Sequence, residues 1–115
     1  MTIIRHEQGS RMSQAVIHNR TVYLAGQVGK GATTADQTRD LLTQVERLLA
    51  LSNSDKSLLL SATIWLADME DFAQMNAVWD AWVDPRNPPA RACGEVRLAS
   101  PDYRVEMLIV AAQRA

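Results

Sequence analysis

A chain of 115 residues, 47% hydrophobic and 22% charged, is long enough to bury one core and too apolar for a disordered polymer. Its net charge of −1, without a basic block, argues against a nucleic-acid partner, because phosphate backbones are bound by clustered Lys and Arg. The single cysteine excludes an internal disulfide, no apolar run reaches the length of a bilayer span, and Met1 leads into no secretory pattern. The expectation is one domain over residues 1–115, in a reducing cytoplasm, with no membrane contact.

Ile3 and Ile4 open a short first strand, broken at Gly9-Ser10. Residues 13–18 and 21–25 are rich in Val, Ile, Thr and Tyr, and Asn19-Arg20 between them has the length of a two-residue hairpin loop. A glycine-containing loop follows, with Gly26, Gly29 and Gly31. It has neither the P-loop nor the GxGxxG spacing, so it is not read as a phosphate cradle. Thr34 and Gln37 stand in capping-box spacing, and Leu41, Leu42, Val45, Leu48 and Leu49 recur at helical intervals. Together they predict an amphipathic helix over residues 35–52.

Residues 58–67 alternate as a central strand. Leu58, Leu60, Ala62, Ile64 and Leu66 share one face, and Leu59, Ser61, Thr63, Trp65 and Ala67 the other. Asp68 or Asp71 caps a second helix, whose apolar stripe is Phe72, Met75, Trp79, Trp82 and Val83 and which Pro85 ends. Residues 91–98 and 104–112 are the last two strands. The order β-β-β-α-β-α-β-β gives an α+β two-layer domain, a mixed sheet with two helices on one face. Alternation assigns Thr63, Trp65, Arg91 and Cys93 to the uncovered face. That face is too apolar for plain surface, and a homo-oligomer packing sheets around an axis would cover it.

Five residues carry candidate chemistry, each with a plainer reading beside it. Arg91 is a guanidinium fork for a ligand carboxylate, or a surface ion pair with Asp84 or Glu95. Cys93 is a nucleophile activated by Arg91, or a small space-filler. Glu106, inside the apolar run 105–110, is a general acid or base that positions a water, or an outward residue beside Arg104. Asn76 is a ligand donor or the cap of a buried carbonyl. Gly26 gives close backbone approach or a turn. Two separated histidines and one cysteine form no metal-ligand spacing.

Four segments, Ser13-Gln14-Ala15-Val16, Ala25-Gly26-Gln27-Val28, Pro89-Ala90-Arg91-Ala92-Cys93 and Val105-Glu106-Met107, resemble the RidA/YjgF family in order and spacing. The stretch from Asp71 to Trp82 is similar to that family's second helix, and Asp80-Ala81-Trp82 to its YoaB-type branch. The resemblance implies a chorismate-mutase-like fold, a homotrimer and ligand sites in clefts between subunits. It also implies hydrolysis of reactive enamines and imines, such as 2-aminoacrylate and 2-iminopropionate, to a 2-keto acid and ammonia without a cofactor. Arg91 would grip the substrate carboxylate, the backbone near Cys93 and Gly26 would hold the substrate, Asn76 would line the cleft, and Glu106 would activate water. Met12 and Ala25 depart from the tyrosine and serine common there and remove two polar contacts. The resemblance leaves two further readings beside hydrolysis: a non-catalytic trimer that binds small carboxylates, and the endoribonuclease or translation-inhibitor labels some members carry.

Overall fold

The computed structural model describes residues 2–115. Among them run seven strands: β1 (Ile4–Gln8), β2 (Ser13–His18), β3 (Thr21–Leu24), β4 (Gln27–Val28), β5 (Leu59–Leu66), β6 (Ala90–Glu95) and β7 (Val105–Ala112). Two helices, α1 (Thr34–Leu51) and α2 (Phe72–Trp82), complete the fold. The sheet order is β1-β2-β3-β7-β5-β6, and β4 adds to β7 beyond the end of β3. The β5–β6 pair, joined through α2, is parallel, while β7 pairs antiparallel with β3, β4 and β5. The expected element order holds, with β4 as a two-residue addition inside the glycine loop.

Local chemistry accounts for most boundaries. Asn19 and Arg20 both take left-handed φ angles, 52° and 64°, as a tight hairpin of right-twisted strands requires. Arg20 is an unusual residue there, and it is tied down. Its carbonyl accepts from Gln113 N–H at 2.9 Å and its guanidinium donates to the Arg114 carbonyl at 3.1 Å. Helix α1 is capped one residue earlier than its sequence suggests. The Thr33 hydroxyl accepts from Asp36 N–H, whereas Thr34 donates to Asp71 at 2.8 Å. Gln37 does not reach back to the cap. Its amide donates to the Gly31 and Asp102 carbonyls and accepts from Arg104 N–H, stitching α1 to the approach of β7.

The helices lie on one face of the sheet. Leu41, Leu42, Val45, Leu48 and Leu49 of α1 are buried with Met75, Val78 and Trp79 of α2 against Ala62, Ile64, Leu66, Met107 and Ile109. The α2 stripe is therefore rotated from the expected one: Val78 replaces Phe72, which is exposed. Asp68 caps the single 3-10 turn leading into α2, through Glu70 N–H at 2.9 Å. A β-bulge in β5 corrects the predicted alternation. Leu59 pairs with Ala111 and Ser61 with Val110, so two steps on β5 match one on β7. Leu59 is consequently buried and Leu60 is 50% exposed, the reverse of the strict two-residue period. Among the described residues, no helix is long and apolar enough to cross a membrane.

Candidate functional site

The register of β6 decides where the candidate residues point. Arg91 pairs with Ala62 and Cys93 with Ile64. Ladder partners share a face, and Ala62 and Ile64 are buried under the helices. Arg91 and Cys93 therefore belong to the helix-covered side. Thr63 and Trp65 face the other way with Ala92 and Gly94, so the expected grouping of Thr63, Trp65, Arg91 and Cys93 does not hold.

Arg91 emerges at the sheet edge beside α2. Its Nη1 donates to Asn76 Oδ1 at 2.7 Å, and its guanidinium carbon lies 5.6 Å from the centre of the Trp79 ring. Among the described residues, no carboxylate forms a salt bridge with it. Asp84 accepts instead from Arg86 N–H and Asn87, and Glu95 from Met69 N–H. The ion-pair reading of Arg91 is thereby removed. Asn76 holds Arg91, rather than capping a buried carbonyl. Trp79 reads in sequence only as part of the apolar stripe of α2, although it follows Asn76 by three residues and such spacing puts both on one helix face.

Cys93 packs against the core. Burial pushes its thiol upward, more than Arg91 draws it down. A thiol held protonated is a poor nucleophile, so the geometry favours the space-filling reading.

Glu106 projects from the uncovered face, flanked across the ladder by Trp65 on β5 and Val28 on β4. Both neighbours are uncharged, and burial raises its carboxyl above the usual range. Gly26 meets this carboxylate directly. A Cβ at position 26 would overlap Glu106 Oε2 and crowd Cδ. The sheet explains the approach. Tyr23 pairs with Val110 and Gln27 with Met107, so the 23–27 segment carries one residue more than β7. The extra residue swings the chain over Glu106 and turns Gln27 inward, where its amide donates to Gln14 Oε1 and the Ala25 carbonyl. Gly26 also lines a cleft of about 350 Å³ with Gln14, Gln27, Lys30 and Tyr103. Another groove of about 400 Å³ lies between α1 and α2, against Leu42, Lys56, Val78 and Trp82, and contains none of the anticipated groups. Among the described residues, no three His, Cys, Asp or Glu side chains gather in a way that could hold a metal ion.

The five anticipated residues thus form two clusters. Arg91, Asn76 and Cys93 sit at the helix side of the β6 edge; Gly26 and Glu106 sit on the uncovered face. The sequence profile of the family described as Endoribonuclease L-PSP matches residues 5–113. The chain belongs to that family. Endoribonuclease L-PSP relatives also carry the names RutC and YjgF. The RutC family protein YoaB of Escherichia coli is 44% identical over 113 residues, covering 97% of this chain and 99% of that protein. A YjgF-family crystal structure from Neisseria meningitidis superposes with a TM-score of 0.99 at 48% identity, covering 100% of this chain and 98% of that one. A bovine relative named 2-iminobutanoate/2-iminopropanoate deaminase is 31% identical, over 88% of this chain and 79% of its own length. The fold is the chorismate-mutase-like α+β arrangement of this family.

Proposed function

We propose that this protein hydrolyses small 2-imino acids and their enamine tautomers to 2-keto acids and ammonia, in a homotrimer whose sites lie between subunits. The observation that carries this reading is Arg91, a cation held by a neutral amide and an aromatic ring rather than by a carboxylate. Its remaining donors suit the carboxylate of a 2-imino acid, bound through parallel hydrogen bonds. The name of the bovine deaminase relative points the same way.

Glu106 supplies the proton chemistry. Its carboxylate takes a proton from water as the oxygen bonds to the imine carbon. Returned to the nitrogen, that proton completes a carbinolamine; its hydroxyl then gives up the second proton of the water, through Glu106, to the same nitrogen as the carbonyl forms, the carbon–nitrogen bond breaks and ammonia leaves. A carboxyl raised by burial suits such exchange better than one in the ordinary range. Asn76 positions Arg91, and the backbone around Gly26 and Cys93 borders the substrate.

Arg91 and Glu106 point to opposite faces of the sheet within one chain. They can meet on one small substrate when Arg91 of one copy faces Glu106 of the next. The uncovered face, with Val16, Trp65, Leu108 and Val110 half-buried and Tyr23 48% exposed, suits coverage by such copies. Met12 and Ala25 place no hydroxyl at their positions, which favours a second reading, capture of small carboxylates without turnover.

Ammonia release from freshly generated 2-iminopropionate tests the proposal. Arg91→Ala should lower kcat/KM about 100-fold or more, as loss of one charged partner at roughly 3 kcal/mol implies. Mixed trimers refolded from inactive Arg91→Ala and inactive Glu106→Ala chains should recover part of the activity, because some interfaces then hold both intact groups. No recovery in confirmed mixed trimers would overturn the shared site. Carboxylate binding without turnover in wild type would favour the second reading.

A further inference from the structure

The glycine at position 26 has no conformational need behind it. The non-glycine residues with left-handed φ lie elsewhere, and Gly31 is the glycine that takes a positive φ, 156°. What position 26 lacks is space, and the three atoms nearest to an added Cβ all belong to one side chain, Glu106. By contrast, a Cβ on Gly29 would run into the Gln37 carbonyl and Leu41 N, which are backbone of α1. Gly29 thus admits the helix, whereas Gly26 admits a carboxylate. The additional residue between Tyr23 and Gln27 creates this slot, since an unbulged strand would continue the alternation past Glu106.

We infer that Gly26 is a positioning residue for Glu106: its missing side chain, presented by the 23–27 bulge, is the slot that fixes where the Glu106 carboxylate stands. The role is distinct from any backbone contact Gly26 makes with substrate. It rests on the deaminase reading only for its catalytic consequence, because the placement of the carboxylate can be observed without turnover. Glu106 is flexible and its far end is what collides. A methyl at position 26 is therefore accommodated by swinging the carboxylate out of the slot, not by unfolding. Across the ladder Trp65 and Val28 carry no charge, so the ion that would face the displaced group is Arg91 of the next copy in the proposed trimer, and a cation there also draws a carboxyl midpoint down.

The test is Gly26→Ala beside Glu106→Gln in the full chain, with Glu106 followed by carboxyl carbon NMR titration and assigned from its disappearance in Glu106→Gln. In Gly26→Ala the midpoint of Glu106 should fall toward the ordinary glutamate range, while the thermal midpoint stays within a few degrees of wild type. Deaminase turnover, where wild type has it, should fall at least tenfold in kcat with KM nearly unchanged, and the acid limb of its pH profile should move with the NMR midpoint. An unchanged or raised Glu106 midpoint in a folded Gly26→Ala protein would overturn the inference. Wild type without turnover would sink the deaminase reading and leave the titration to judge the slot. A Gly26→Ser variant, with another short side chain, should repeat the displacement; a wild-type midpoint there would also count against it.

Discussion

The two faces of this sheet differ in what closes them. On one, every second residue of β7, from Val105 to Ala111, is fully buried beneath two helices. On the other, the residues between them, Glu106, Leu108 and Val110, are only half-buried. One strand thus serves a sealed core and a half-open surface, one residue apart. The difference teaches that hydrophobicity by itself does not identify a core. Leu108 and Met107 read alike in sequence, yet Met107 is sealed by this chain and Leu108 is left half-buried.

Substitution at these adjacent positions is the sharpest way to break the comparison. Met107→Ala should cost about 2–5 kcal/mol in the urea unfolding of the chain, because it opens a cavity the helices cannot refill. Leu108→Ala should change the unfolding of the isolated chain by less than about 1 kcal/mol, as half-exposed positions usually do. Its larger effect should be on mass, measured by sedimentation, with the proposed trimer dissociating at concentrations where wild type remains assembled. Equal stability losses for the two variants in the monomeric state would erase the distinction between the faces.

A smaller effect probes how the helix side is fastened to β7. Gln37 spans three backbone groups, the Gly31 and Asp102 carbonyls and the Arg104 N–H. Gln37→Ala should cost roughly 1–3 kcal/mol, because part-buried backbone groups lose their partners. Hydrogen exchange should accelerate at Arg104 before it does in the middle of β7. Uniform acceleration along β7 would mean that Gln37 contributes packing instead of fastening.

The smallest expected effect lies at the chain terminus. Asp55 accepts from the Ser57 hydroxyl, from Ser57 N–H at 2.7 Å and from Arg114 at 2.7 Å. The Ser57 bonds, assisted by Arg114, hold its carboxyl below the usual range. A lowered folded-state value adds stability above the unfolded carboxyl range, near pH 4. That contribution fades as pH falls through the folded value. Asp55→Asn should therefore lower the urea midpoint slightly at pH 6, and the gap should close toward pH 2. The pair is solvent-screened, so a large gap, or one that widens in acid, would contradict this account.

Much of the architecture could be read from sequence because its causes are local. The leucine stripe of α1, the Asn19-Arg20 hairpin and the proline-limited end of α2 each follow from residues within a turn or two. The errors share another cause. Strand alternation says which residues of one strand share a face, but it carries no register between strands, and a shift of one residue exchanges the faces. Alternation alone groups Arg91 and Cys93 with Thr63 and Trp65 for that reason, whereas the β5–β6 register puts them on opposite faces. The β5 bulge misassigned Leu60 in the same way.

The candidate site divides along this line. Sequence singles out Arg91 and Glu106 as charges in strands, Cys93 as the lone cysteine two residues from Arg91, Asn76 as a polar group beside the α2 stripe and Gly26 as the glycine ending a strand, and the family resemblance joins them into one site. Tertiary structure decided that Arg91 rests on Asn76 and Trp79, that the Cys93 thiol is packed against the core, and that Gly26 makes room for Glu106. It also put the two charged groups on opposite sides of the sheet. These are facts of register and of an inserted residue, set by contacts between segments tens of residues apart, and local composition has no means of recording them.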